Sequence, residues 1–94
     1  MTAPNTVRYT VDRRESRFLV LIDEHGASVD VPADAIPPDC RRAGTVLDTP
    51  LGASGQPQWK RASRNRQEEE RRMREATATL ERLRGTDPGG DVKL

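Results

Sequence analysis

The chain reads as an α+β protein: a small antiparallel β-sheet of four or five strands, either open or closed as an SH3-like or OB-like barrel, followed by one long C-terminal helix. Three observations predict this. Residues 7–31 hold three short runs with strand periodicity, joined by tight polar connections. Pro32, Pro37 and Pro38 then crowd the exit from the third run. From residue 64 to residue 84 the composition turns to Arg, Glu, Ala and Leu, all strong helix formers. The implied boundaries are a disordered N-terminus over 1–6, a β domain over 7–62, a helix over 63–84 packed on that domain or on a partner, and a disordered tail over 85–94.

Each element has a local reason. Val7, Tyr9 and Val11 alternate with Arg8, Thr10 and Asp12, the period of a strand with one buried face. Arg13 to Ser16 supplies a charged turn. Arg17 to Asp23 follows with the continuous run Phe18-Leu19-Val20-Leu21-Ile22, expected to be the central strand, covered on both faces, with Phe18 and Tyr9 in the core. Asp23-Glu24-His25-Gly26 ends it, since Gly26 tolerates the positive φ of a hairpin turn. Ala27, Val29 and Val31 form the inward face of strand three, with Ser28 and Asp30 outward. Pro32 stops that strand near Val31, because proline removes a ladder donor and sets the preceding residue in extended geometry.

Ala33 to Ile36 forms one helical turn that brings Ile36 into the bottom of the core. After a polar loop from Asp39 to Ala43, Gly44 opens a fourth strand over Thr45 to Thr49, in which Val46 and Leu47 resume the apolar pattern. Pro50 to Pro57, with two Gly and two Pro, is a flexible loop. Gln58 to Arg61 is a fifth strand carrying Trp59. Ser63 is the helix N-cap and Gly85 its stop. Glu68 to Arg72 and Glu70 to Arg74 are favourable i,i+4 pairs. Met73, Ala76, Leu80 and Leu83 lie on one stripe, which continued backward reaches Glu69 and Arg66. The first half of the helix is therefore expected in solvent, and the second half needs the core or a partner to cover it.

Size and charge bound the function. A chain of 94 residues makes one domain that buries only about 60% of its unfolded surface, so its core is small. The net charge of +1 gives no long-range pull toward nucleic acid or membrane, although residues 60–84 concentrate 9 basic against 5 acidic side chains. Cys40, the single cysteine, cannot close an intramolecular disulfide and reads as an inert loop thiol in a reducing compartment. No apolar run reaches the length of a signal peptide core or a membrane span, so the expected location is the cytoplasm.

The residue inventory argues against catalysis. With one His and one Cys, a metal centre would have to rely on carboxylates such as those of the turn Asp23-Glu24-His25. Neither a nucleophile context nor a phosphate-cradling Gly loop occurs, and Asp12 and Glu15 have Arg13, Arg14 and Arg17 as ion-pair neighbours. The expectation is a non-enzyme with no metal and no cofactor. Two binding readings remain. Trp59, flanked by Lys60 and Arg61, could stack a nucleic-acid base while Arg64, Arg66 and Arg71 contact phosphates; alternatively, Trp59 packs between sheet and helix, and the helix is a solvated mixed-charge surface. The stripe Met73, Ala76, Leu80 and Leu83 is the candidate protein interface, for a partner protein or for a homo-oligomer through the helix.

One resemblance adds to this. Val11-Asp12-Arg13 with Glu15, then Val29, Val31-Pro32, Ile36-Pro37 and Gly44 with Val46-Leu47, ahead of an Arg/Glu-rich helix, resembles a small bacterial domain-of-unknown-function family, numbered three thousand and six, over Val7 to Arg84. The connection Pro50 to Pro57 is longer than that family's, and Asp39-Cys40 stands where an acidic-Gly turn is usual. The resemblance implies an accessory, non-catalytic protein whose partner is a metallo-β-lactamase-fold hydrolase, a nuclease or phosphodiesterase. It implies no site residues.

Overall fold

A computed structural model describes residues 5–86, with side chains up to residue 83. Five strands, β1 (Thr6–Glu15), β2 (Phe18–Asp23), β3 (Ser28–Pro32), β4 (Val46–Pro50) and β5 (Ser63–Arg64), form one antiparallel sheet in the order β3-β2-β1-β4-β5, followed by helix α1 (Arg66–Thr86). The sheet is open, with β3 and β5 as its two ends.

β1 runs further than its charge pattern suggests. Arg13 to Glu15 belong to the strand, and the turn shrinks to Ser16-Arg17, with Ser16 at φ 58°. A bulge between Val11 and Arg13 leaves Asp12 as the unpaired residue. The expected charged turn is extended strand because Arg13, Arg14 and Glu15 pair with Val20, Leu19 and Phe18 of β2, a ladder that needs only backbone bonds and leaves their side chains in solvent. Arg13 is also neutralised locally by Asp12 at 2.6 Å and Glu15 at 2.7 Å.

Alternation along β2 sends Leu19 and Leu21 into the main core, while Val20 is buried on the opposite face and Ile22 half-buried there. Phe18, expected in the core, is 45% exposed, because it lies at the hairpin tip on the face opposite Leu19. β3 also corrects the expectation. Val31 is buried, but Val29 is 37% exposed and Ala27 is exposed, since an edge strand receives cover from one side only. Between β2 and β3, the Asp23 carboxylate accepts the amides of His25 and Ala27, and Gly26 takes φ 89° as the turn requires.

The space between the two sheet ends is filled by the chain after β3. Two 3₁₀ turns, Ala33–Ala35 and Pro38–Cys40, each follow a proline with φ near −55° and bring Ala33, Ile36 and Cys40 into the cluster of Val11, Leu19, Leu21, Val31, Leu47 and Ala62. Ile36 is fully buried, as its plugging role demands, and Arg41 seals the segment by donating to the Ile36 carbonyl at 2.8 Å. Cys40 is therefore a core side chain rather than a loop thiol. Burial, then the charge of Asp39, pushes its thiol up to about 11, so it stays protonated at neutral pH.

The chain beyond β4 differs most from expectation. Residues 51–57 form a tied loop, in which Leu51 bridges Pro57 and the Gly52 amide donates to the Gln56 carbonyl. Trp59–Arg61 is a 3₁₀ turn, and the fifth strand falls later, at Ser63–Arg64. A two-residue strand carries no periodicity for sequence reasoning to detect. The helix cap is correspondingly Asn65, whose Oδ1 accepts the Glu68 amide at 2.9 Å, in place of Ser63. At the far end the helix passes through Gly85 to Thr86 instead of stopping. Residues 1–4 and 87–94, and with them most of the two expected disordered ends, lie outside the described residues.

These placements predict a graded cost of truncation. Ile36→Ala should lower the unfolding free energy by about 2–4 kcal/mol, whereas Phe18→Ala should cost under about 1 kcal/mol. Urea denaturation of the two variants checks this, and a larger loss at Phe18 would move the core to the other face.

Candidate interaction site

Helix α1 does not dock by apolar burial, for none of its described side chains belongs to the core cluster. Its first turns meet the sheet through polar groups. The chain passes from β5 into the helix without a loop: the Asn65 amide donates to the Val46 carbonyl at 2.7 Å, and the Glu69 carboxylate accepts the Val46 amide at 3.1 Å. Both backbone groups of one strand residue are thus held by the helix start. Glu69 is in turn fixed by a bidentate contact with Arg64 on β5, whose guanidinium lowers the carboxyl pKa with help from the Val46 amide.

A second cluster completes the joint. Arg8 on β1 donates to Asp48 on β4 at 2.9 Å and reaches Glu68 at 3.7 Å, while Asn65 donates its amide hydrogen to the other Asp48 oxygen at 2.9 Å. Arg72 bridges Glu68 at 2.9 Å and the Thr10 hydroxyl at 2.7 Å. Glu68, with a side chain only 11% exposed, collects Arg8, Arg71 and Arg72. Hydrogen bonds from Arg71 and then Arg72 bring its carboxyl down from an ordinary 4.5 to about 2. The first half of the helix, expected in solvent, is the half that is anchored.

Beyond Arg72 every described helix residue is exposed. Met73 is 69%, Leu80 58% and Leu83 60% exposed, with Ala76 exposed between them. At about 100° per residue, this stripe continues, within about 50°, the face on which Glu68, Glu69 and Arg72 meet the sheet. The helix therefore overhangs the sheet as an arm whose apolar side looks along the direction of the docked half. The stripe therefore does not cover the core cluster.

The candidate nucleic-acid residues do not converge in the same way. Trp59 tilts at 60° against Tyr9, with ring centroids 4.9 Å apart, and both rings pack against the core cluster while staying partly exposed. Tyr9, expected inside, is thus a bordering residue. Arg64 is taken by Glu69, and Arg71 by Glu68 at 2.6 Å and Glu75 at 2.7 Å. Arg61 donates to Gln58, and Lys60 and Arg66 are exposed. Sequence reasoning missed Arg8, Thr10, Asp48, Asn65 and the anchoring roles of Glu68, Glu69 and Arg72. One signal was present: Asn65 with Glu68 three residues on is an N-cap pattern.

Among the described residues no three His, Cys, Asp or Glu side chains are grouped to hold a metal ion, and no helix is long and apolar enough to cross a membrane. No family model matches the chain, and no curated protein or solved structure matches it either. The fold and site define a small α+β domain, a five-stranded antiparallel sheet with one anchored and overhanging helix.

The anchorage predicts an acid transition. The Glu68 carboxyl is more acidic in the docked helix than in a free chain, so its contribution is complete above pH 4.5 and is lost as pH falls toward 2. Amide resonances of Thr10 and Val46 should shift in that window in an NMR titration, and Glu68→Gln should shrink the change to the share of Glu69. An unchanged titration in the variant would remove Glu68 from the joint.

Proposed function

We propose that this protein is a non-enzymatic interaction module that presents the overhanging half of α1 to a partner protein, with Met73, Ala76, Leu80 and Leu83 as the contact stripe. One observation carries the reading: three large apolar side chains stand 58–69% exposed on the part of the helix that follows Arg72, whose guanidinium donates to Thr10 of the sheet. Exposed apolar groups in contiguous array mark interaction surfaces, and anchors at this helical spacing suit insertion into an apolar groove. The motif resemblance supports a metallo-β-lactamase-fold nuclease or phosphodiesterase as that partner. Binding of nucleic acid through Trp59 is the lesser reading, since packing on Tyr9 and carboxylate partners for Arg64 and Arg71 leave fewer groups for phosphates.

The test uses a photo-cross-linking residue at Thr77 in the native host. A protein adduct should form with the wild-type stripe and vanish with Leu80→Asp, whose melting temperature should match the parent, and the purified partner should then bind the wild type at least tenfold more tightly than the variant. An adduct indifferent to Leu80→Asp would overturn the reading. Trp59→Ala should lower stability by about 2 kcal/mol and leave weak single-strand binding unaltered. Sub-micromolar, Trp59-dependent binding to single strands at physiological salt would establish the nucleic-acid reading instead.

A further inference from the structure

We propose that the free edge of β3 is a docking site for an extended, basic segment of a partner protein, which adds to the sheet as a further strand. β3 ends the sheet on the side away from β5 and α1, and it pairs only with β2. Hydrogen bonds from the Asp23 amide to the Ala27 carbonyl and from the Ala33 amide to the Arg17 carbonyl fix which residues of this ladder bond inward. In the register that sets Leu21 opposite Val29 and Leu19 opposite Val31, these are the odd-numbered residues of β3. The amides of Ser28 and Asp30 and the carbonyls of Ser28, Asp30 and Pro32 therefore turn outward, away from β2.

Sheet edges that stay free are commonly blunted by a bulge, a lysine or a proline that interrupts the ladder. β3 keeps an unbroken register over five residues, has no lysine, and carries its proline only in the last place. The other edge, β5, is two residues long and runs into α1. Alternation also puts Val29 on the core face, where it stays 37% exposed for want of a neighbour beyond it. An added strand supplies that neighbour, as well as partners for the outward amides.

Charge selects the occupant. From Asp23 to Asp39 the chain carries five acidic residues and no Lys or Arg. Among the described residues, Glu24, Asp30 and Asp34 enter no ion pair. Two cations meet this segment through backbone groups, Arg17 opposite Ala33 and Arg41 on the Ile36 carbonyl, and both do so beyond Pro32. A second copy would set two such acidic edges side by side and be repelled, whereas a basic strand is attracted. The pleat then dictates its pattern. Residues of an antiparallel strand that bond to Ser28 and Asp30 project on the Asp30 side of the sheet, and the residue between them lies beside Val29. The segment that fits alternates cationic and apolar residues. Five residues of edge span only about 17 Å, so the pairing is reversible.

An NMR titration of the full chain with a short acetylated peptide of alternating Lys and Val tests it. The amide resonances of Ser28 and Asp30 should shift, and at saturation those amides should exchange with solvent about fivefold more slowly. Methylating the Lys amide nitrogens, which face β3, should weaken binding by about tenfold or more, because hydrogen bonds are lost without any change of charge. Methylating the Val amide nitrogens, which face away, should leave the affinity within about twofold. A peptide of alternating Glu and Val should not bind, and Asp30→Asn should weaken the Lys peptide. No shift at Ser28 and Asp30 with millimolar peptide, equal affinity of the two methylated peptides, or equal affinity of the Glu peptide would each overturn the proposal. Ser28 and Asp30 lie outside the α1 stripe, so this outcome is independent of the Thr77 adduct.

Discussion

The placement of α1 depends on Val46, whose amide and carbonyl are both taken by the start of the helix, through Glu69 and Asn65. Because β5 runs directly into the helix, this pair of bonds sets the helix direction, and the charged cluster around Glu68 and Arg8 holds it. Partly buried polar groups of this kind interact more strongly than they would in water, and each becomes costly once its partner is lost. The consequence is a division of labour along one helix. Polar residues near its N-terminus attach it to the sheet, so its apolar residues are not consumed by the protein's own packing.

The core explains why that division was needed. Its large members are few: Leu19, Leu21, Ile36 and Leu47 lead, with valines, small residues and Cys40 completing it. An open sheet with so little to bury must close its gap with loop residues, and the proline-directed turns after β3 do so. Trp59 and Tyr9 are drawn into the same role at the rim. Covering the second face with Leu80 or Leu83 would have enlarged the core, yet the helix meets that face with Glu68, Glu69 and Arg72 instead.

Elements with a period or a proline rule behind them were legible. The first three strands, Gly26 in its turn, the buried Ile36, the fourth strand and the helix itself all followed from pattern. What escaped was set by partners distant in sequence. Arg13 to Glu15 look like a turn by charge, but β2 pairs with them. Phe18 looks like core by hydrophobicity, but alternation at a hairpin tip turns it out. Ser63 and Asn65 are both good caps, and only the ladder to Leu47 and Asp48 claims Ser63-Arg64 for the sheet. For the site, the exposed stripe was visible as a spacing, whereas the joint was not, because Arg8, Asp48 and Glu68 are ordinary surface types until the fold gathers them.

The loopless passage from β5 to α1 has a mechanical meaning. A helix that leaves a strand through a hydrogen-bonded residue behaves as a stiff lever with its fulcrum at Asn65. From there to Leu83 the lever is about 27 Å long, so a tilt of about 10° at the fulcrum carries the tip through about 5 Å. Small changes of twist in the sheet are thereby magnified at the end of the arm, and force applied to the arm returns to β4 as torque.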